Sequence, residues 1–105
     1  MNFRLHSGIA GALLATALTV PVAAHAQDAG TVRGMAATCA NCHGTDGRSV
    51  GAVPGLAGVD KAYMMQQMLD FKAGKRPATI MHQLAKGFSD AEIEQLAAYF
   101  AAQKK

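Results

Sequence analysis

The stretch Cys39-Ala40-Asn41-Cys42-His43 decides how this sequence is interpreted, because it has the pattern C-x-x-C-H. This pattern is the attachment signature of a c-type haem. Two thiols at this spacing reach the two vinyl groups on one edge of a porphyrin, and the histidine that follows them ligates the iron. The chain contains two cysteines in all. The motif therefore predicts one covalently bound haem c, held by Cys39, Cys42 and His43.

Three other uses of such a motif are weaker. A redox-active C-x-x-C of the thioredoxin kind needs a βαβ setting, and no segment of this sequence predicts a strand. A structural zinc site needs four ligands, and after the leader the candidates are Cys39, Cys42, His43 and His82. A disulfide across two residues would close too small a loop to stabilise the chain much.

Residues 1–26 have the composition of a secretory signal peptide. Arg4 precedes an almost wholly apolar run at 8–22, and Ala24-His25-Ala26 supplies an A-x-A cleavage pattern. The alternative is an uncleaved membrane anchor, but the run is shorter than the roughly 18 to 20 residues that span a bilayer. We expect cleavage before Gln27, a periplasmic location, and a mature single domain at 27–105.

The charge of the mature chain does not indicate a nucleic-acid partner. Of the ten Lys and Arg residues Arg4 lies in the leader, so nine oppose seven Asp and Glu. Two ionised haem propionates would bring the assembled protein close to neutral. A chain this short builds only a marginal core. We therefore expect the haem to form part of the core and the protein without haem to be largely unfolded.

The hydrophobic pattern predicts an all-α fold with three main helices. The first covers Thr31–Cys39, where apolar residues recur at helical spacing. The second begins near Asp60 and stops at Gly74, which suits a helix C-terminus. The third follows the capping box Ser89-Asp90-Ala91-Glu92, and we expect Lys104 and Lys105 to close it, where cations favour the helix dipole. The glycine-rich stretch between the first two helices predicts an irregular loop near the haem.

The second axial ligand must come from downstream of the motif. Met81 follows residues 77–80 in a predicted non-helical connection, so its thioether is free to approach the iron, and it is the preferred ligand. His82 is the competitor, since imidazole also binds haem iron. A methionine ligand raises the reduction potential relative to a second histidine. The remaining downstream methionines lie at helical spacing, which favours core packing: Met64, Met65 and Met68.

The order of these features resembles class I cytochromes c of the small bacterial, periplasmic kind. The resemblance covers residues 30–102 and includes Cys39 to Gly44, Pro54-Gly55-Leu56, the methionine segment, and Tyr99-Phe100 near the end of a capped helix. It implies three main helices and loops wrapped around one covalent haem, with residues 27–105 as the cytochrome c domain.

The resemblance also implies two contacts. The carbonyl of Pro54 would accept a hydrogen bond from the imidazole of His43, which would fix the ring and strengthen the ligand. The first and last helices of this family cross closely. Gly30 or Gly34 would then let the backbone approach Tyr99 and Phe100, unless they are ordinary surface glycines.

A narrower likeness concerns residues 71–81 and 85–90, which resemble the haem-bearing subunits of flavocytochrome c sulfide dehydrogenases. There the cytochrome receives electrons from a flavoprotein partner that oxidises sulfide. The residue after the ligand methionine in that group is usually Gly, and here it is His82.

These observations predict an electron-transfer protein rather than a stand-alone enzyme, since no catalytic acid, base or nucleophile constellation is evident. The partners would be redox proteins, a flavoprotein subunit among them, with no membrane contact in the mature form. The alternatives are a free soluble carrier to a terminal oxidase or another redox partner, and a haem-based ligand sensor, which needs an open sixth position. Basic residues flank the Met81 segment and would favour an acidic partner: Lys72, Lys75, Arg76 and Lys86.

Overall fold

The structure is a computed structural model that describes residues 28–105, so the predicted signal peptide lies outside the described residues. This range contains helices and no strand, which confirms the predicted all-α class. None of its helices is long and apolar enough to cross a membrane. The elements in chain order are α1 (Ala29–Ala37), α2 (Ala40–His43), a 3-10 turn (Thr45–Gly47), α3 (Lys61–Lys72), α4 (Met81–Ala85) and α5 (Asp90–Ala101).

Helix α5 is the centre of the packing. It lies against α1 and α3, and α3 also packs against α4. The buried core is small, and half of its residues are alanines: Ala36, Ala57, Met64, Ala85, Ile93, Leu96, Ala97 and Phe100. Because alanine buries little apolar surface, these side chains alone provide a modest hydrophobic stabilisation.

The predicted start and end of the second main helix and the predicted start of the third are confirmed. Asp60 caps α3, since its Oδ1 accepts a hydrogen bond from the backbone N of Tyr63 at 2.8 Å. After α3, Gly74 adopts φ +72°, a left-handed conformation that favours glycine. Ser89 and Glu92 form the reciprocal capping box at the start of α5. Helix α5 ends at Ala101 and its last turn holds no basic residue, so the expectation that Lys104 and Lys105 close this helix is wrong.

The first helix begins and ends two residues earlier than the prediction of Thr31–Cys39. It covers Ala29–Ala37, and a turn at Thr38 and Cys39 separates it from α2. The hydroxyl of Thr38 donates to the carbonyl of Met35 at 2.7 Å and so competes with continuation of the helical ladder.

The glycines that approach α5 are not the ones that the resemblance indicated. A Cβ added to Gly34 would have nothing within 4 Å, and one on Gly30 would meet only the side chain of Asp28. The close approach is made by Gly47, where a Cβ would lie 2.9 Å from Cδ1 of Phe100. Of the two roles left open for Gly30 and Gly34, the structure favours that of ordinary surface glycines.

The sequence predicted a non-helical connection at Met81, and this is wrong, because Met81 is the first residue of α4. The carbonyl of Ile80 accepts hydrogen bonds from the backbone N of Gln83 at 2.9 Å and of Leu84 at 3.1 Å, which closes this single turn. A helix of five residues is too short to show a hydrophobic period in the sequence. Its stability comes from packing against α3.

Candidate functional site

The two cysteines of the motif lie on one short helical segment. Cys39 caps the N-terminus of α2 and packs against the core, whereas Cys42 lies within α2 and is exposed. They are not joined in a disulfide. Burial raises the pKa of the Cys39 thiol, and a hydrogen bond at Thr38 offsets part of that effect.

His43 is held in place by Pro54, and this is the contact that the family resemblance implied. The imidazole Nδ1 lies 2.6 Å from the carbonyl oxygen of Pro54. Because a carbonyl oxygen only accepts hydrogen bonds, Nδ1 is the protonated nitrogen of this ring. In the neutral ring this leaves the lone pair on Nε2, which is the form of imidazole that binds a metal.

Met81 lies on a different element from this cluster. Helix α4 packs against α3, whereas α2 packs against α1 and the 3-10 turn. The segment before Met81 is folded back onto α3, because the guanidinium of Arg76 lies 4.7 Å from the ring centroid of Phe71 and bonds to the side chain of Gln67. Both Met81 and its neighbour His82 are half-buried.

The basic residues around this segment are not equally available to a partner. The ammonium of Lys72 bonds to Phe88 and Asp90, and Arg76 is engaged as just described. Lys75 and Lys86 are exposed.

Five large hydrophobic side chains remain exposed among residues 28–105, and all but Tyr63 lie close in sequence to the predicted ligands. Val50 and Val53 belong to the loop after the motif, and Ile80 and Leu84 flank Met81. Exposed apolar clusters of this kind mark surfaces that bind an apolar partner or ligand. Two thiols on one helical turn, an imidazole with Nε2 free to ligate, a thioether and apolar surface near both ligand segments together fit a covalently bound haem.

Sequence reasoning missed a second polar contact near the motif. The hydroxyl of Tyr99, on α5, donates to Oδ1 of Asp46 at 2.6 Å. The dipeptide Asp46-Gly47 is a turn signal and could have indicated the 3-10 turn, but nothing in the sequence indicates the pairing with Tyr99.

Within the described part of the chain, Nδ1 of His82 is buried without a hydrogen-bond partner, so His82 stays a competitor of Met81.

Comparison with known proteins shows which family this chain is similar to. The sequence model for cytochrome c matches residues 30–104. The chain is 41% identical over 66 residues to the cytochrome subunit of sulfide dehydrogenase from Chlorobaculum tepidum, which is 63% of this chain and 60% of that protein. It is 42% identical over 93 residues to cytochrome c4 from Pseudomonas aeruginosa, which is 88% of this chain and 46% of that protein.

The fold is also similar to a solved structure. Reduced recombinant cytochrome c4 from Pseudomonas stutzeri superimposes with a TM-score of 0.66 at 37% sequence identity, over 73% of this chain and 46% of that one. This chain thus spans 60% and 46% of the lengths of the two relatives named above.

Proposed function

Because this chain belongs to the cytochrome c family, we propose that it is a periplasmic c-type cytochrome that carries single electrons on one haem. The class I cytochrome c fold that the resemblance implied is confirmed, and membership of the family implies a covalently bound haem c. One C-x-x-C-H motif accounts for one haem. The observation that carries the proposal is the 2.6 Å bond between His43 and Pro54, which prepares an imidazole to ligate iron immediately after the two thiols.

Each site residue has a separate task in this proposal. Cys39 and Cys42 would hold the haem through two thioethers, and His43 and Met81 would ligate its iron. The haem, when bound, supplies reversible one-electron chemistry between Fe(III) and Fe(II). Pro54 keeps the proton of His43 on Nδ1, so that Nε2 stays a ligand. The thioether of Met81 favours the reduced state and so raises the reduction potential.

Two ligands from the protein leave no iron position for a substrate. The chain would therefore serve to hold the haem and present it to a second redox protein, with no bond made or broken in the polypeptide. Contacts between redox partners are usually small and short-lived. The exposed ammonium groups of Lys75 and Lys86 favour an acidic partner surface, and added salt would slow such an association.

The partner that we propose is a sulfide-oxidising flavoprotein. Two observations support it: the 41% identity to the cytochrome subunit of sulfide dehydrogenase from C. tepidum, and the likeness of residues 71–81 and 85–90 to haem subunits of that class. The second candidate is a free carrier to a terminal oxidase or another redox protein. It is favoured by the match to cytochrome c4, which extends over 88% of this chain.

Expression in a bacterium that matures c-type haems tests the first step. The purified protein should carry one haem by mass and show ferrous and ferric spectra of a low-spin cytochrome. Carbon monoxide should leave the ferrous spectrum unchanged at neutral pH. A colourless product would contradict the proposal, and a ferrous spectrum shifted by carbon monoxide would favour a ligand sensor.

The partner is tested separately. A flavoprotein that copurifies from the native bacterium and reduces this cytochrome when sulfide is added would support the subunit assignment. Purification without a flavoprotein, with rapid reduction by other periplasmic donors, would favour the free carrier.

A further inference from the structure

The segment that carries Pro54 is a loop closed at its base by one carbonyl group. The carbonyl oxygen of Gly47 accepts hydrogen bonds from the backbone N of Leu56 at 2.8 Å and of Ala57 at 3.1 Å. Pro54 lies inside this loop, two residues before its end. The position of the Pro54 carbonyl relative to His43 therefore depends on where the base of the loop is held.

The residue before this base has an unfavourable backbone conformation. Asp46 adopts φ +51° and ψ +28°, and it is the one non-glycine residue with positive φ among residues 28–105. Residues with a Cβ seldom adopt this left-handed region, and Asp is among those that do so where its short side chain finds hydrogen-bond partners.

The carboxylate of Asp46 finds such partners, and both of its oxygens are engaged. Oδ1 accepts the hydroxyl of Tyr99 at 2.6 Å, and Oδ2 lies 3.4 Å from the guanidinium of Arg48. Arg48 also donates from Nε to the carbonyl of Lys104 at 2.9 Å. The turn after the motif is thus tied to the C-terminal part of the chain.

Two consecutive residues on α5 contact the base of the loop. Tyr99 bonds to Asp46, and the ring of Phe100, which is buried, packs against the backbone of Gly47. Helix α5 is itself fixed between α1 and α3. Contacts with α5, the most firmly packed helix of the domain, therefore hold the loop base in position.

We propose that Tyr99 is a positioning residue, whose hydroxyl holds Asp46 and the loop base so that the carbonyl of Pro54 meets Nδ1 of His43. This inference rests on the proposed function, because its effect on the reduction potential requires the haem. A firm hydrogen bond at Nδ1 makes the imidazole a stronger ligand, which favours Fe(III) and lowers the potential. Loosening the loop base would weaken that bond and raise the potential.

The titration of the pair agrees with this arrangement. The hydrogen bond from Tyr99, with a smaller contribution from the charge of Arg48, lowers the pKa of Asp46. The same hydrogen bond raises the pKa of Tyr99. At neutral pH the carboxylate is thus ionised and the phenol protonated, so the hydrogen bond between them is intact.

The test replaces Tyr99 by phenylalanine, which removes the hydroxyl alone. Y63F is the matched control, because Tyr63 is an exposed tyrosine at the start of α3. Two quantities are measured on the haem-loaded proteins: the midpoint potential, and the exchange rate of the Nδ1 proton of His43 by NMR in the reduced state. We expect Y99F to raise the potential and to accelerate the exchange about tenfold, as the loss of one hydrogen bond would. Y63F should change neither.

A Y99F protein that unfolds more easily, yet keeps the wild-type potential and exchange rate, would show that Tyr99 is a structural brace and would overturn the inference. If Y99F yields little holoprotein, D46N provides the second test, because asparagine tolerates left-handed backbone and is a weaker acceptor. For D46N the exchange rate alone is compared, since the lost charge itself shifts the potential. A wild-type protein without haem would contradict the proposed function instead, so the two failures are distinguishable.

Discussion

Lys72 donates from Nζ to the backbone carbonyl of Phe88 at 2.7 Å, and this bond joins the end of α3 to the end of the segment that begins with Met81. The same ammonium lies 2.8 Å from Oδ1 of Asp90, at the start of α5. One side chain thus links the two helices that enclose the proposed ligand segment.

Replacing Lys72 by methionine should lower the free energy of unfolding by about 1–2 kcal/mol. The carbonyl of Phe88 loses a charged donor in a half-buried place, and such bonds are worth more than neutral ones. Asp90 is 76% exposed, so its ion pair with Lys72 adds little. Guanidinium denaturation of the holoprotein measures the change. The control is K86M, at an exposed lysine on the same segment, which should stay within about 0.5 kcal/mol of wild type.

Two single substitutions, at Met81 and at His82, test which of these residues is the second ligand. M81A should abolish the ferric charge-transfer band between methionine sulfur and iron, whereas H82N should keep it. The reason is that only the thioether gives this band, and Met81 lies at the start of α4 with exposed apolar residues on both sides. The near-infrared spectrum of the ferric protein is the measurement. A band that survives in M81A would overturn the assignment and direct attention to Met64, Met65 and Met68.

Two glycines should respond in opposite directions to alanine. At Gly47 the φ is +79°, and a Cβ would lie 2.8 Å from the backbone N of Ala57 and 2.9 Å from Phe100, so G47A should destabilise by about 2–4 kcal/mol. At Gly34, inside α1, a Cβ meets nothing within 4 Å, so G34A should stabilise by about 0.5–1 kcal/mol. Thermal unfolding of the two variants compares them directly. Equal effects at both sites would contradict the packing described for Gly47.

Tyr99 should titrate above the ordinary tyrosine value of about 10. Its hydrogen bond to Asp46 is the main cause, followed by burial and by the charge of Asp46. In the Y63F background Tyr99 is the one remaining tyrosine, so tyrosinate absorbance against pH reports its pKa alone.

Adding D46N to that background should lower the pKa of Tyr99. Because the folded state holds the phenolic proton more tightly, this bond contributes fully to stability below pH 10 and is lost as the pH rises through the folded pKa. A titration curve that D46N leaves in place would show that Asp46 does not act on Tyr99.

A protein with both Cys39→Ala and Cys42→Ala should lose its cooperative thermal transition. Half of the buried core consists of alanines, which leaves little apolar burial to offset the cost of ordering the chain. Circular dichroism against temperature is the measurement. The control is C42A alone, which retains one thiol for attachment. A sharp transition in the haem-free double variant would show that the polypeptide builds a sufficient core by itself.

The parts of the fold that the sequence predicts are those encoded locally. Asp60, Gly74 and the Ser89–Glu92 box act within a few residues of themselves, and the helices that they bound are found where expected. Helix α4 escaped prediction because a single turn shows no period and is stabilised by its contacts with α3.

The contacts that shape the site, like those of α4, join residues that are far apart in sequence. Tyr99 and Asp46 are 53 residues apart in sequence, and only the packing of α5 brings them together. The family resemblance did supply the bond between His43 and Pro54, but it pointed to Gly30 and Gly34 for a close approach that Gly47 makes. A position requires glycine when neighbouring atoms in the fold leave no room for a Cβ. The residues next to the glycine in sequence do not reveal those neighbours.

The loop closed by the Gly47 carbonyl has a tip that takes no part in holding His43. Val50 is fully exposed there, and a Cβ on Gly51 would meet nothing within 4 Å. Exposed loop tips of this kind accept inserted sequence. A foreign peptide grafted beside Gly51, such as a tag that adheres to an electrode, would leave the anchoring contacts at the loop's base in place, whereas a change to Val50 itself would remove part of the apolar surface assigned to the haem.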